Sequence, residues 1–302
     1  MPDDALPLPR SALVTGGGDG IGRAICVLLA RCGVCVTVLD LKGDSAARTV
    51  EQCGTTSRTS ALALECDVTN HDALAKAFEA HVARWGSIDL CVCNAGVAES
   101  RGWRLAIELN VTSLVDCVTL ALGHMREQER RAAAASCCRI VCVGSMGGIL
   151  PMADQPVYAA TKAGVLHYVR SVAEVLQLDG EAGGEAGGRR GGGILISAIA
   201  PAIVDTALAA EQMRVTEPAR KAMGEQLLQG QGGALAPAAI AEAVLRLVTT
   251  PAHNGAILRI FQRGQLKFLT HSAAAKYAWS PRPPESLAPL PPATAMPSGA
   301  KL

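Results

Sequence analysis

The sequence predicts an α/β fold: a doubly wound, seven-stranded parallel sheet with helices on both faces, in a single domain. Three observations carry this reading. A short apolar run, Ala12-Leu13-Val14, leads into the glycine-rich turn Thr15-Gly16-Gly17-Gly18-Asp19-Gly20-Ile21-Gly22 and then into a helix-like run ending at Arg31. A second apolar run, Val34 to Leu39, ends in an acid, Asp40, eighteen residues after Gly22. Beyond it, apolar runs of strand length alternate with helical patterns as far as residue 261. That alternation is how strand–helix–strand units build a parallel sheet.

In chain order the pattern reads as strand 11–16, helix 20–32, strand 34–40, helix 44–53, strand 60–66, helix 70–85 and strand 88–94. A long helix follows at about 103–129, then strand 138–145, helix 155–178, strand 194–200, a mobile helical segment 207–230, helix 237–249 and strand 255–261. Residues 1–10 form an N-terminal extension and residues 11–268 the domain. Two stretches break the pattern. Residues 179–193 are too rich in glycine for a helix and read as a flexible surface loop. Residues 269–302 form a tail that turns rich in Pro, Ala and Ser and reads as disordered.

The glycine turn is a candidate phosphate cradle. Glycine lets the backbone turn tightly and approach a pyrophosphate, and the free N–H groups of the following helix then meet the anion. The spacing Gly16-xxx-Gly20-x-Gly22 departs from the common GxGxxG pattern, and a glycine cluster is also simply a turn. The acid at the end of the second strand favours the first reading. Asp40 suits the hydroxyls of an adenosine ribose and repels a 2′-phosphate, so NAD is favoured over NADP. Asp19 acts in the same direction, whereas Arg23 and Lys42 act against it.

Chemistry is suggested by Tyr158-Ala159-Ala160-Thr161-Lys162, thirteen residues after Ser145. Tyr158 and Lys162 are four apart, which on a helix places them one turn apart on one face. An ammonium beside a phenol favours the phenolate. Free tyrosine titrates near pH ~10, so a base working near neutrality needs a downward shift of roughly 2–3 units, about 3–4 kcal/mol. Tyr-x-x-x-Lys also occurs by chance on amphipathic helices. Its weight comes from standing in the same chain as the glycine cradle.

Composition narrows the remaining classes. The hydrophobic fraction is 49% and the charged fraction 18%, enough for a sizeable core, and with 3% aromatics that core must be aliphatic. Net charge is +1 without a dense basic run, which argues against a nucleic-acid partner. No apolar stretch approaches the ~20 residues of a bilayer span, so no membrane role is expected. The start, Met1-Pro2-Asp3-Asp4, does not read as a secretory signal. The eleven cysteines all lie between Cys26 and Cys142, mostly within expected helices and strands. They read as small core residues in a reducing compartment, with no metal site. Cys32 and Cys35 have redox-motif spacing but fall where a helix ends, not where one begins.

With these motifs in place, residues 10–268 resemble the short-chain dehydrogenase/reductase family, whose fold is Rossmann-like. The resemblance also rests on Asp67-Val68, Asn94-Ala95-Gly96-Val97, Asn110, Ser145, and Pro201 to Thr206. Within the family, Trp103, the run Pro151 to Tyr158, and Asn254-Gly255-Ala256-Ile257 are similar to the NAD-dependent branch that oxidises hydroxyprostaglandins. The resemblance implies that Tyr158 takes the hydroxyl proton and that Lys162 lowers its pKa and binds the nicotinamide ribose. It further implies that Ser145 hydrogen-bonds the reacting oxygen and that Asn110 holds a water linking Lys162 to solvent. Gln155 is implied as a further contact to a substrate hydroxyl.

Cofactor contacts implied in the same way are Gly16, Gly20, Ile21, Gly22, Asp40, Asp67, Val68, Asn94, Ala95, Gly96, Tyr158, Lys162, Pro201, Val204 and Thr206. Ala202 stands where the family usually has glycine, which leaves that loop's geometry open. Trp103 reads as a packing residue. Met213, Met223, Leu227 and Leu228 read equally as the lining of a lidded apolar cleft or as the inner face of a helix pair.

The expected activity is NAD-dependent oxidation of a secondary alcohol on an apolar or lipid-derived substrate. The alternatives are a 3-oxoacyl or steroid ketone reductase and a non-catalytic nucleotide-binding scaffold. Apolar runs on two helices, Val111 to Leu122 and Val165 to Leu176, suggest a homodimer or homotetramer. The final Ala300-Lys301-Leu302 resembles a peroxisomal address, which suggests an import receptor as partner and a peroxisomal location, with the cytoplasm as the alternative.

Overall fold

The strands are laid down in the order β3-β2-β1-β4-β5-β6-β7-β8. These are β1 (Ser11–Thr15), β2 (Cys35–Asp40), β3 (Ala61–Glu65), β4 (Leu90–Cys93), β5 (Cys138–Val143), β6 (Ile194–Pro201), β7 (Ile257–Ile260) and β8 (Leu266–Phe268). The order follows from a computed structural model, which describes residues 6–54, 60–131, 137–182, 193–212, 233–250, 254–261 and 265–269. Seven strands are parallel, as expected. The eighth, β8, runs antiparallel to β7 at the sheet edge. The order in which strands are added reverses between β1 and β4, so β2 and β3 extend the sheet one way and β5 to β7 the other. That reversal opens a crevice at the strand C-termini, where ligands of such sheets bind.

The helices are α1 (Gly20–Arg31), α2 (Gly43–Cys53), α3 (His71–Trp85), α4 (Trp103–Ile107), α5 (Ser113–Arg131), α6 (Pro156–Ala182), α7 (Ala207–Gln212) and α8 (Pro237–Thr249). Local chemistry explains several ends. Asn70 caps α3 by accepting from Ala73 N at 3.0 Å, and Gly86 ends it in the left-handed region at φ 82°. Pro237 opens α8, where its missing N–H is harmless.

Alternation along the strands splits the core in two. Ala12, Val14, Val36, Val38, Val92 and Val141 face Ile25 and Leu29 of α1 and Ile240 and Val244 of α8. Leu13, Leu39, Cys91, Cys93, Ile140 and Cys142 face Leu74 and Phe78 of α3, Val118 of α5 and Val165 of α6. The core is therefore aliphatic. Eight of the eleven cysteines are buried and all eleven are free thiols, which fits their reading as small core residues.

Several expectations change. The long helix at 103–129 is interrupted: a π-turn over Glu108–Thr112 separates α4 from α5. Trp103, expected to pack, is 48% exposed, with the Arg104 guanidinium 4.1 Å above its ring. The run Trp103–Arg131 reaches the length and hydropathy of a membrane span, contrary to the expectation that nothing would approach one. In the fold, one side of it is core, with Leu114, Val118, Ala121 and Met125 buried against the sheet.

Helix α6 continues to Ala182, four residues into the expected glycine loop. Arg126 of α5 holds that extension through Asp179 at 2.7 Å. The rest of the loop, Met213 to Leu228 and the tail with Ala300-Lys301-Leu302 lie outside the described residues. Contacts divide the chain into Met1–Leu269, to which everything here refers, and Thr270–Leu302.

Candidate active site

The glycine turn after β1 is shaped by its surroundings. Gly16 sits at φ 61°, and a Cβ at Gly22 would collide with the Gly16 carbonyl oxygen. A side chain at either position would break the turn or push α1 away. Helix α1 starts without a side-chain cap, so its first N–H groups are free to meet an anion.

The Asp40 carboxylate accepts from Gly18 N at 2.9 Å and from Lys42 N at 3.0 Å. It thus braces the turn from the end of β2. Arg23, which could have met a 2′-phosphate, turns back instead. It donates from Nε to Gly18 O at 3.1 Å and lies 3.4 Å from Asp19. Asn94 donates through Nδ2 to Thr15 O at 2.9 Å and to Gly16 O at 3.0 Å. Thr15 Oγ1 accepts from the N–H groups of Asn94 and Ala95 at 3.0 and 3.1 Å. A bent backbone, an uncapped helix end and an acid beside them fit a dinucleotide, and NAD is the form this cradle fits.

The other implied cofactor residues lie along the same crevice edge. Asp67 folds onto Thr69, and Val68 is buried beside it. Ile21 packs on the α1-side core, and Ala95 on the other. Thr206 caps α7 through Ala209 N at 3.2 Å and faces Gly20, where a Cβ would come within 3.1 Å of it. Val204 bridges to Leu235. Pro201 ends β6, and Ala202 continues the ladder by donating to Ile260 O at 2.9 Å. An open groove of about 620 Å³ between α1 and α8 touches Asp19, Gly20, Arg23 and Thr206 but excludes Ser145, Tyr158 and Lys162.

Ser145 caps the short 3-10 turn Met146–Gly148 by accepting from Gly147 N at 3.0 Å. Its hydroxyl also meets Tyr158, in the first turn of α6. Lys162 lies one turn on, with Nζ donating to Val143 O at 2.9 Å and 5.8 Å from the Tyr158 ring centroid. Tyr158 is 5% exposed and Lys162 4%. The three residues singled out from the sequence therefore stand together.

The electrostatics differ from expectation. Burial pushes the Tyr158 phenol above its usual 10, while contact with Ser145 and Gln212 acts the other way. Burial pulls Lys162 down to about 8, because a desolvated ammonium is disfavoured. The lysine therefore does not by itself turn the phenol into a base. One of its donors is taken by the main-chain carbonyl of Val143.

Asn110 sits in the π-turn. Its Oδ1 accepts from Val97 N at 2.8 Å, and its Nδ2 donates to Val97 O at 3.0 Å and Thr161 Oγ1 at 3.1 Å. Both amide donors are used, so a bound water would be held by a carbonyl oxygen. Gln155 precedes α6 and is 4% exposed, and its Oε1 has no hydrogen-bond partner. An unpaired buried acceptor is costly unless something completes it.

Four residues have roles that the sequence did not assign to them. Thr15 and Thr161 bind backbone and Asn110 as described. Gln212, the last residue of α7, brings its amide to Tyr158 with Nε2 buried and without a fully formed bond. Glu99, in a 3-10 turn before α4, accepts through Oε2 from Val157 N at 2.7 Å and Tyr158 N at 3.0 Å. No one-dimensional pattern links Glu99 to Val157, 58 residues later in the first turn of a helix.

Three thiols, Cys91, Cys93 and Cys117, lie within 4.8 Å of one another in the core on the α5 side. Hydrogen bonds from Cys91 and Cys93 pull the Cys117 thiol down to about 5, against its burial.

This fold and this site define an oxidoreductase, and the chain belongs to the short chain dehydrogenase family, whose model matches residues 10–216. It is 28% identical to 15-hydroxyprostaglandin dehydrogenase [NAD(+)] of Bos taurus, over 83% of this chain and 90% of that protein. It is 33% identical to cis-4-hydroxycyclohexanecarboxylate dehydrogenase of Sinomonas cyclohexanicum, over 83% and 94%. The crystal structure of levodione reductase shares the fold with TM-score 0.69 at 24% identity, over 83% and 96%.

Proposed function

We propose that this enzyme oxidises a secondary alcohol on an apolar substrate to a ketone with NAD, with Tyr158 as the general base. The observation that carries the reading is the grouping of Ser145, Tyr158 and Lys162 beside the glycine cradle. Bound NAD would take the hydride from the carbinol carbon. The protein's part is to hold the oxygen and move the proton. Ser145 donates to the substrate oxygen while Tyr158 accepts its hydroxyl proton. Lys162 would hold the nicotinamide ribose, and its charge together with that of bound NAD's nicotinamide would bring the phenol down from its buried value. The proton then leaves past Lys162 to a water held at Asn110. Gln155 accepts a hydrogen bond from a substrate hydroxyl, which would complete its unpaired Oε1.

The substrate class is supported by two relatives whose names specify secondary alcohols on a prostaglandin and on a cyclohexane ring. Assembly as a homodimer or homotetramer is supported by exposed apolar side chains: Leu105 and Ile107 of α4, and Val175 and Leu178 of α6.

The test joins a substrate screen to one substitution. Hydroxy-fatty acids, prostaglandins, steroids and alicyclic secondary alcohols are offered with NAD, and NADH is followed at 340 nm. Tyr158→Phe keeps the ring and removes the proton carrier, and should lower turnover by at least about a hundredfold while NAD binding persists. Near-normal turnover by that variant would remove Tyr158 from the acid/base role.

A further inference from the structure

We propose that Glu99 is a positioning residue for Tyr158, one that both fixes the start of its helix and sets the pH at which its phenol ionises. The inference rests on the reading of Tyr158 as the proton carrier. It begins with the N–H groups at the start of α6. The first turn of a helix leaves its N–H groups without intrahelical partners. In α6, Pro156 has none to satisfy, and Ala159 N donates to Gln155 O at 3.0 Å. The two that remain belong to Val157 and to Tyr158 itself, and one oxygen of Glu99 takes both.

Such a cap usually comes from the residue just before the helix. Here that residue is Gln155, whose Oε1 binds nothing. Because a carboxylate from 56 residues upstream does the capping, the Gln155 side chain is not needed as the cap.

Glu99 is itself held on both sides. Val97 is clamped by the Asn110 side chain through two hydrogen bonds. Ser100 donates to Glu211 of α7 at 3.1 Å. Between them, Ala98 is fully buried. The carboxylate is therefore delivered to α6 from a braced turn rather than from a loose loop.

Its charge also matters. The N-terminal end of a helix carries partial positive charge, which would favour a phenolate in its first turn. Glu99 opposes that field. The groups facing the phenol are Lys162 on its own helix, Ser145 after β5 and Gln212 on α7, with Glu211 further out on Ser100. Among these, only Glu99 combines a full negative charge with direct bonds to the Tyr158 backbone. It restrains ionisation, while Lys162 promotes it.

The test reads Tyr158 without turnover. The full chain with NAD is titrated between pH 7 and 11, and phenolate is followed by absorbance at 295 nm. Subtracting the Tyr158→Phe curve isolates Tyr158. Glu99→Gln keeps an acceptor for the two N–H groups and removes the charge. Its Tyr158 midpoint should fall by about half a pH unit or more, since a negative charge close by disfavours ionisation. A purely structural cap would leave that midpoint in place, so an unchanged midpoint overturns the proposal. If Glu99→Gln does not fold, hydrogen exchange on the wild type decides. The Val157 and Tyr158 amides should exchange at least tenfold more slowly than unstructured ones, and free exchange overturns the proposal. Normal turnover by Tyr158→Phe would instead sink the acid/base reading and leave the titration intact.

Discussion

Replacing Asp40 should damage NAD binding more than it opens the site to NADP. From the sequence, Asp40 is a filter: it suits the ribose hydroxyls and repels a 2′-phosphate. In the structure it is also a brace, accepting from Gly18 N at 2.9 Å and Lys42 N at 3.0 Å. Hydrogen bonds to a charged group contribute roughly 1.5–3 kcal/mol each when well buried. Asp40 is half-buried and water can replace part of both, so about 2 kcal/mol of order in the turn is a fair total. That corresponds to roughly thirtyfold in the dissociation constant for NAD. Asp40→Ala should therefore narrow the NAD preference by losing NAD, not by gaining NADP. Asp40→Asn keeps one acceptor and turns an amide toward the other N–H, so it should fall between. The assay is NAD and NADP affinity by tryptophan fluorescence or calorimetry for the three proteins. Wild-type NAD affinity in Asp40→Ala would show that the carboxylate does not brace the turn. A wild type using both cofactors equally would refute the filter.

His81 should make the fold sensitive to mild acid. It is fully buried, with Nδ1 2.8 Å from Thr37 Oγ1 and Nε2 3.1 Å from Ser87 O, and burial pulls it to about 4. Nε2–H must donate to the Ser87 carbonyl, so in neutral His81 Nδ1 accepts a hydrogen bond from the Thr37 hydroxyl, whose oxygen accepts from Trp85 Nε1. The unfolded chain binds the extra proton from about pH 6.5 downward, so stability is full above that pH and falls toward pH 4, by about 3 kcal/mol in all. Melting temperature should drop between pH 6.5 and 5 in the wild type and much less in His81→Gln, and equal slopes would exclude His81 as the cause. Light scattering at micromolar concentration should give a dimer or tetramer, and a monomer would leave the exposed apolar residues of α4 and α6 without their proposed partner.

What could be read from the sequence was whatever repeats at short range. Glycine turn, apolar strands and the acid ending β2 are local patterns, and they placed the first seven strands within a few residues. Strand β8 is three residues long and has only β7 to pair with, too little pattern to register. The π-turn was hidden because one extra residue barely disturbs the apolar period of the run from Trp103. Its marker is the long-range bonding of Asn110 to Val97 and Thr161. Glycine content argued against helix after Leu178, yet α6 runs on to Ala182, with Asp179 tied to Arg126. Ser145, Tyr158 and Lys162 were legible because the last two share a helix face. The direction of the Tyr158 shift was not. Spacing shows which groups are neighbours, but it does not weigh a neighbour's charge against the loss of water around a fully buried phenol.

That weighing locates where the chemistry depends on the rest of the molecule. The segment from Asn94 to Ser100 bonds to four parts of the site. Asn94 holds the glycine turn, Val97 holds Asn110, Glu99 holds the backbone of Tyr158, and Ser100 holds α7. These are hydrogen bonds of 2.7–3.1 Å, a range in which a shift of half an ångström weakens the bond. A change at the cofactor end of this segment therefore reaches the Tyr158 amide within five residues, with no domain motion required. Burial works against the charged form of both groups, raising the phenol and lowering the ammonium. The proposed use of their pairing therefore depends on the cradle that fits NAD, the turn carrying Glu99 and the start of α6 being in register.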